Sequence, residues 1–321
     1  MLADFCTIHN SCYYLRHVTE SETKYIERIY REHHTIINTL ISGPCKEYKK
    51  LKNIKKNRFP DIKCWDATRV CFSKKRSNYI HANYVHGFER PQKFIVTQEP
   101  MNNTLEDYWT MVWEAGTKVI VMLNGADAPS DNDYSELKTF TVSVDSIVLQ
   151  TDYVEIIMNV FNVHTLQSRI VHFFKYLNWP KGGVTDILPL ISFLIEVNER
   201  QQYFIQEASM SPPGPIVVYS STGTGRAATF CVVDVCMTQL VNTATISIPF
   251  IVFKIRQQRH SSIESLDNYF FINNAVIYFL ATIPPNSKLF LRLLFYHCDR
   301  SAWRLSDSLT VQQSFCLKVL V

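Results

Sequence analysis

Residues 215–230 read PIVVYSSTGTGRAATF, the clearest structural pattern in the chain. A short apolar run ends at Ser220, a small polar loop with two glycines follows, and a long apolar segment begins after Arg226. Glycines let a loop turn so that several backbone N–H groups face one point beside a helix N-terminus. The guanidinium of Arg226 adds a planar fork that can hold two oxygens of one phosphate group. The stretch therefore predicts a strand, an anion-binding loop and a helix.

The order of these residues resembles the signature loop of protein tyrosine phosphatases, (V)HCSAGxGR(S/T)G. Tyr219 stands at the position of the family's histidine, and Ser220 at that of its nucleophilic cysteine. The resemblance implies that the loop binds the phosphate group of phosphotyrosine. The phosphate-binding candidates are Ser221, Thr222, Gly223, Thr224, Gly225 and Arg226. The sequence thus keeps the loop and changes its nucleophile.

A dinucleotide-binding loop is the alternative interpretation of the same glycines. Gly223, Gly225 and Ala228 fit a loose GxGxxA pattern after a strand. That pattern requires an acidic residue about 20 positions later, on a second strand. Asp234 comes too early, inside the predicted helix, and residues 243–247 contain no acid. The sequence therefore favours the phosphate loop.

The composition indicates a globular protein with a sizeable core, because 46% of the 321 residues are apolar. The net charge of +4 is too small to predict a nucleic-acid partner. The nine cysteines include no CxxC pair, so we expect no metal and no cofactor. We find no signal-peptide pattern and no apolar run long enough to span a membrane. The cytoplasm, a reducing compartment, is the expected location.

A basic segment precedes a second family motif. Residues 46–58 contain seven Lys or Arg residues and one Glu, which is typical of a solvated face or of a positive rim around an anion site. Residues 56–70, KNRFPDIKCWDATRV, resemble the family's KNRYxDVxxxDxxRV segment. The resemblance implies that Phe59 stacks on the phosphotyrosine ring and that Asp61 fixes the backbone of the bound peptide. Phe59 keeps the aromatic ring, so the stacking survives.

Three further segments follow in the family's order. Residues 78–87, NYIHANYVHG, resemble DYINAxYxxG. Residues 94–100, FIVTQEP, resemble FIATQGP, with Glu99 where glycine is usual. Residues 104–114, TLEDYWTMVWE, resemble the helix TxxDFWxMVWE. Chance agreement would not preserve this order along the chain.

The helix over 104–114 carries two predictions. Asn103 is the expected N-cap, because Glu106 lies three positions later at the spacing of a capping box. The resemblance implies that Glu114 supports Arg226, since a buried carboxylate needs such a partner.

Residues 179–184, WPKGGV, resemble the family's mobile WPDxGV loop, whose Asp is the general acid. Lys181 stands at that position here. Asp186 lies nearby, but its position before the predicted helix 187–203 favours a role as the N-cap. Residues 256–269, RQQRHSSIESLDNY, resemble RxQRxxMVQTxxQY. In the family two glutamines of this motif position the hydrolytic water; here the two positions hold Glu264 and Asn268.

We predict a lead-in over residues 1–22, a tyrosine-phosphatase-like domain over 23–282 and a C-terminal extension of unknown role over 283–321. The resemblance implies an α+β (α/β layered) fold with a twisted, mixed, mostly antiparallel sheet flanked by helices. Residue patterns predict helices at 23–40, 225–241, 269–280 and 289–296, and strands at 119–123, 139–144, 146–151, 154–163 and 169–176.

Our first hypothesis is a pseudophosphatase that captures phosphotyrosine proteins and protects them from active phosphatases. The family's thiolate forms from a thiol whose pKa starts near ~8.5. A serine hydroxyl is far less acidic and needs an adjacent base, which Tyr219 does not supply. Loss of the general acid at position 181 alone lowers a rate by about 10²–10⁴-fold. We therefore predict no active catalytic residue and no phosphatase activity.

Two alternatives stay open. The resemblance implies that Lys181 and Glu264 face each other when the loop closes, and a salt bridge between them would favour a closed scaffold that binds partners elsewhere. A surface ion pair contributes only ~0–1 kcal/mol. The minor alternative is a weakly active phosphatase. The chain also resembles the phosphatase families carried by bracoviruses of parasitoid wasps, which implies interference with signalling in the cytoplasm of a host cell. The sequence does not indicate an oligomeric state.

Overall fold

The computed structural model describes residues 8–10, 13–14, 21–73, 78–125, 137–180, 182–208 and 212–283. The helices are α1 Glu22–Asn38, α2 Lys46–Lys49, α3 Leu51–Ile54, α4 Leu105–Glu114, α5 Ile187–Glu207, α6 Arg226–Thr243, α7 Ile248–Gln258 and α8 Leu266–Thr282. The strands are β1 His9–Asn10, β2 Ala82–Val85, β3 Phe94–Gln98, β4 Val119–Met122, β5 Phe140–Leu149, β6 Tyr153–Asn162, β7 Gln167–Tyr176, β8 Ile216–Ser220 and β9 Thr245–Ile246.

Seven strands form one sheet in the order β2-β3-β8-β4-β7-β6-β5. The three central interfaces are parallel, and the three outer interfaces are antiparallel. The two longest ladders, β5–β6 and β6–β7, are antiparallel, so most paired residues are antiparallel. The predicted mixed α+β sheet is confirmed. β4 and β8 are buried on both faces, as their continuous β-branched runs require of central parallel strands.

Helices cover both faces of the sheet and position the end of β8. Helix α6 is buried over almost all of its first twelve residues, which confirms the predicted central helix. Its two cysteines, Cys231 and Cys236, are buried in the core. Helices α5, α6 and α8 share one hydrophobic core, and α4 packs in a second core on the opposite face. Because β8 leads directly into α6, the phosphate loop lies at the carboxyl edge of the parallel strands.

The region 139–176 forms three strands rather than the predicted four. The two predicted strands on either side of Asp145 are one strand, β5, whose pairing with β6 shifts between Val144 and Ser146. A β-bulge inserts one extra residue without ending a strand. The polar Asp145 therefore marks a bulge and not a turn.

The predicted capping box before α4 is wrong. The Asn103 side chain donates to the carbonyl oxygen of Lys55 at 2.8 Å. The Glu106 carboxylate accepts a hydrogen bond from the N–H of Lys138 at 3.0 Å. Both side chains thus bind residues that are distant in sequence. Asp186 is the N-cap residue of α5 as predicted, although its side chain makes no capping hydrogen bond.

The described residues near the N-terminus join the fold through a short strand. Strand β1 pairs with β9 beside the N-terminus of α7. The predicted helix at 289–296 lies outside the described residues, and the predicted domain boundaries stay predictions. Within the described ranges, no helix is both long and apolar enough to cross a membrane. The same ranges contain no group of three His, Cys, Asp or Glu residues suited to hold a metal ion.

Candidate phosphate-binding site

The predicted phosphate loop follows the central strand β8. The strand ends at Ser220, the loop spans residues 221–225, and α6 begins at Arg226. Gly223 has a φ of +69°, and a Cβ placed on it would lie 2.3 Å from the carbonyl oxygen of Thr97. Only glycine fits a left-handed position this crowded. The predicted strand, loop and helix are therefore confirmed, with the loop packed against the end of β3.

The loop leaves four backbone N–H groups without a partner among the described residues. They belong to Ser221, Thr222, Gly225 and Arg226. Two other N–H groups are bound within the loop. The Gly223 N–H donates to Oγ of Ser220 at 3.2 Å, and the Thr224 N–H donates to Oγ1 of Thr222 at 3.2 Å. Free N–H groups at the N-terminus of a long helix attract an anion.

Arg226 adds a fixed cation to these donors. Its Nη1 donates to the carbonyl oxygen of Leu123 at 2.9 Å, which holds the half-buried side chain beside the end of β4. Burial lowers the pKa of Arg226, and the carboxylate of Glu99 opposes that shift. The other guanidinium N–H groups have no partner in the part of the chain that the structure describes. Arg226 therefore keeps donors for two phosphate oxygens.

Ser220 and Tyr219 point to opposite faces of β8. Ser220 is buried, and within the described residues its Oγ has one hydrogen bond, from the N–H of Gly223. The Tyr219 ring lies in the core near the rings of Tyr108 and Phe173, at centroid distances of 5.9 and 6.3 Å. No described imidazole or carboxylate is hydrogen-bonded to the Ser220 hydroxyl, and a serine nucleophile needs such a base.

A buried arginine to which the motifs assign no role shapes the loop. Arg259 is fully buried, and its Nε and Nη2 donate to the carbonyl oxygens of Gly223 and Thr222 at 3.3 and 3.1 Å. Its Nη1 donates to Oδ1 of Asn83 at 2.9 Å and to Nδ1 of His81 at 3.0 Å. Burial lowers the pKa of Arg259 to about 10, so it stays a cation at neutral pH. Because each peptide plane holds its C=O and N–H in opposite directions, these bonds also fix the N–H groups of Gly223 and Thr224, which donate to Ser220 Oγ and Thr222 Oγ1 within the loop.

His81 is a second residue that the motifs leave without a role. Its Nε2 lies 2.9 Å from the carbonyl oxygen of Ile62, and its Nδ1 lies 3.0 Å from Nη1 of Arg259. Since a carbonyl only accepts and a guanidinium only donates, these partners assign a neutral imidazole with its proton on Nε2. Burial, helped by the charge of Arg259, lowers the pKa of His81 to about 3.

We expect His81 to make the protein less stable in acid. The unfolded chain binds a proton at His81 below its ordinary pKa of about 6.5, whereas the folded imidazole stays neutral to about pH 3. The free energy of unfolding therefore falls through this window, with a contribution of up to about 1.4 kcal/mol per pH unit. Urea unfolding between neutral pH and about pH 5 measures the slope. The His81→Asn variant should have a shallower slope, and equal slopes would contradict the assignment.

Phe59 and Asp61 lie on a loop attached to the same edge of the sheet. Gln98 ends β3, beside the end of β8. Its side chain accepts from the N–H of Arg58 and donates to the carbonyl oxygen of Lys56, both at 2.9 Å. Phe59 is half-buried, and Asp61 is exposed. The structure thus brings both residues to the edge that carries the phosphate loop, and their recognition of phosphotyrosine stays a prediction.

The segment between α7 and α8 reaches the other side of the loop. The N–H of Ile263 donates to the carbonyl oxygen of Thr224 at 2.9 Å. Asn268 lies close to the loop, since a Cβ placed on Gly225 would be 3.3 Å from its Nδ2. Glu264 is exposed. The structure therefore places Asn268 at the loop and leaves the Glu264 carboxylate accessible.

Glu114 does not support Arg226. Its carboxylate accepts hydrogen bonds from the N–H and the hydroxyl of Ser73 at 2.9 and 3.0 Å, whereas Arg226 is held by the carbonyl of Leu123. The predicted supporting role of Glu114 is therefore wrong, because the end of α4 faces the segment before β2 and not the phosphate loop.

Lys181 lies outside the described residues, so its predicted place at the general-acid position stays a prediction. The residues around it are anchored. Trp179 is buried, and its Nε1 donates to the carbonyl oxygen of Gly183 at 3.2 Å. Its ring lies 6.1 Å from that of Phe271 in α8. The segment that carries position 181 thus follows a tryptophan whose side chain is held in the core.

The fold and the phosphate loop together define the class of protein. The sequence profile described as Protein-tyrosine phosphatase matches residues 53–278, which is more than half of the chain. The chain belongs to the protein-tyrosine phosphatase family.

Similar proteins come from a bracovirus, Microplitis demolitor bracovirus. Tyrosine phosphatase H3 is 31% identical over 293 residues, covering 81% of this chain and 91% of the relative. Probable tyrosine phosphatase protein N1 is 35% identical over 254 residues, covering 74% and 80%. Tyrosine phosphatase-like protein J1 is 29% identical over 304 residues, covering 88% and 100%. The predicted resemblance to bracovirus phosphatases is confirmed.

Proposed function

We propose that this protein binds phosphotyrosine-containing proteins at its phosphate loop without hydrolysing them. The observation that carries the proposal is the set of donors at one helix N-terminus that have no partner among the described residues: four N–H groups and the guanidinium N–H groups of Arg226 other than the one bound to Leu123. Charge-assisted hydrogen bonds of this kind are the strong ones in phosphate recognition. Phe59, on the loop held by Gln98, supplies an aromatic ring at the same edge of the sheet.

The surroundings of Ser220 support the absence of hydrolysis. A thiol can ionise in such a loop because its pKa starts near ~8.5, whereas a serine hydroxyl depends on a base. The hydrogen bond to Ser220 Oγ comes from a backbone N–H, which is a donor and cannot remove a proton. Serine is also uncharged, so it does not repel a bound phosphate dianion.

We expect the Ser220→Cys variant to show no useful turnover of a phosphotyrosine peptide. Restoring the thiol leaves Lys181 in place of a general acid, and loss of that acid costs about 10²–10⁴ in rate. Release of inorganic phosphate measures the effect. The triple variant Ser220→Cys, Lys181→Asp and Glu264→Gln is the matched comparison and should be faster than the single variant. Appreciable hydrolysis by Ser220→Cys alone would refute the roles assigned to positions 181 and 264.

In a cell, a protein of this kind would protect its phosphotyrosine ligands from active phosphatases. The similarity to bracovirus tyrosine phosphatases supports a place for this activity in the cytoplasm of a parasitised host, where captured ligands would be withheld from signalling.

Calorimetric titration with a phosphotyrosine peptide and its unphosphorylated twin tests the proposal. We expect micromolar binding of the phosphorylated peptide alone. Arg226→Met should weaken that binding about tenfold to a hundredfold, since a hydrogen bond to a charged group is worth about 1.5–3 kcal/mol. Equal affinity for the two peptides, or unchanged affinity in Arg226→Met, would disprove binding at this loop.

The closed scaffold is the second candidate, and one observation favours keeping it. Glu264 is exposed and has no ion-pair partner in the described ranges, which leaves its carboxylate available to Lys181. If Lys181→Ala and Glu264→Gln bind the phosphotyrosine peptide while the wild-type protein does not, the pocket is closed in the wild type. Its partners would then bind another surface.

A further inference from the structure

Glu99 places a carboxylate beside the phosphate loop. It follows Gln98, the last residue of β3, and the parallel ladder sets Gln98 opposite Ser220. The N–H of Glu99 donates to the carbonyl oxygen of Ser220 at 2.9 Å and lies 3.4 Å from that of Ser221. The backbone of Glu99 is thus bonded directly to the start of the loop. The family motif has glycine here, so the carboxylate is an addition of this chain.

The carboxylate of Glu99 pairs with one cation at this edge and acts on a second. Its Oε2 lies 3.4 Å from Nη2 of Arg58, on the loop that carries Phe59. The two side chains are only 20% and 31% exposed, for Glu99 and Arg58 respectively, and partly buried charges are screened less than exposed ones. Glu99 also acts on Arg226, because its charge raises the pKa of that guanidinium. The carboxylate of Glu99 therefore offsets part of the positive charge of Arg58 and Arg226 before any ligand binds.

We infer that Glu99 is a specificity residue that reduces the preference of the loop for doubly charged ligands over singly charged ones. Coulomb energy is proportional to the charge of the ligand. A carboxylate beside the loop therefore disfavours a phosphate dianion more than a singly charged oxyanion such as an aryl sulfate. Glu99 also forms an ion pair with Arg58, whose positive charge would otherwise attract the ligand. This inference rests on the proposed binding of phosphotyrosine at the same loop.

The test compares a phosphotyrosine peptide with its sulfotyrosine twin by calorimetric titration at about pH 7.5. The phosphate ester is close to a dianion there, because its second pKa is about 6, and the sulfate ester is a monoanion. We expect Glu99→Gln to raise the affinity for the sulfotyrosine peptide about threefold and that for the phosphotyrosine peptide about tenfold, because the energy doubles with the charge. Glu207→Gln is the matched control. It makes the same change at the exposed far end of α5 and should alter neither affinity.

The outcomes separate this inference from the proposed function. If the wild-type protein binds the phosphotyrosine peptide and Glu99→Gln gives equal gains for both peptides, no gain or a loss, the inference is overturned and the proposed function stands. If only Glu99→Gln binds the peptide, the inference is supported and the proposed function of the wild-type protein is overturned. If neither protein binds either peptide, both are overturned.

Discussion

Replacing Gly223 with alanine should unfold the phosphate loop and lower the free energy of unfolding by about 3 kcal/mol or more. The new Cβ would lie 2.3 Å from the carbonyl oxygen of Thr97 and 3.0 Å from Nη2 of Arg259. The first of these atoms belongs to the backbone of β3, which cannot move without breaking the ladder to β8. The φ of +69° adds strain for any residue with a side chain. Urea unfolding and peptide titration should both report the loss.

Gly182→Ala is the matched control for this effect. Gly182 also has a positive φ, +80°, but a Cβ placed on it meets no atom of the described residues within 4 Å. We expect it to cost about 1–2 kcal/mol, the strain of the left-handed conformation alone. If the two variants lost equal stability, the crowding against Thr97 would not be what requires a glycine at 223.

Arg259→Met should remove both stability and binding. The variant leaves the carbonyl oxygens of Thr222 and Gly223 and the side chain of Asn83 without their buried donor. Each unsatisfied buried group costs about 1–3 kcal/mol, so we expect a total loss of at least about 3 kcal/mol. The loop would also lose the bonds that hold the Thr222 and Gly223 peptide groups in place, and with them its shape. Phosphotyrosine affinity should therefore fall below detection by calorimetry.

Arg226→Met separates the two effects of Arg259→Met. Arg226 is half-buried and has one hydrogen bond within the described residues, to Leu123. We expect it to weaken phosphate binding while the free energy of unfolding changes by about 1 kcal/mol or less. Binding retained by Arg259→Met, with stability near that of the wild type, would show that the loop keeps its shape without the buried guanidinium.

The central part of the site could be predicted because its signals are local. The apolar run before Ser220, the glycines and the apolar segment after Arg226 are adjacent in sequence, and they fold into adjacent elements. The bulge at Asp145 could not be predicted, because a single polar residue gives the same sequence pattern at a bulge and at a break between two strands.

The supporting residues could not be predicted because their partners are distant backbone groups. Arg259 binds carbonyl oxygens 36 and 37 residues away, and Gln98 binds backbone groups 40 and 42 residues away. A motif shows neither which carbonyl a buried guanidinium will reach nor that Glu114 will bind Ser73. These hydrogen-bonded pairs form only when folding brings the distant segments together.

The hydrogen bonds from Arg259 to the phosphate loop limit which mutations such a protein can accumulate. A residue that serves only chemistry, such as a nucleophile or a general acid, can be exchanged without cost to folding once hydrolysis is no longer selected. Arg259 is not replaceable in this way, because the guanidinium that bonds to the loop also satisfies the buried side chains of His81 and Asn83. Mutations that dismantle the loop would be removed as folding defects. An anion-binding loop of this construction can therefore persist whether or not hydrolysis is selected.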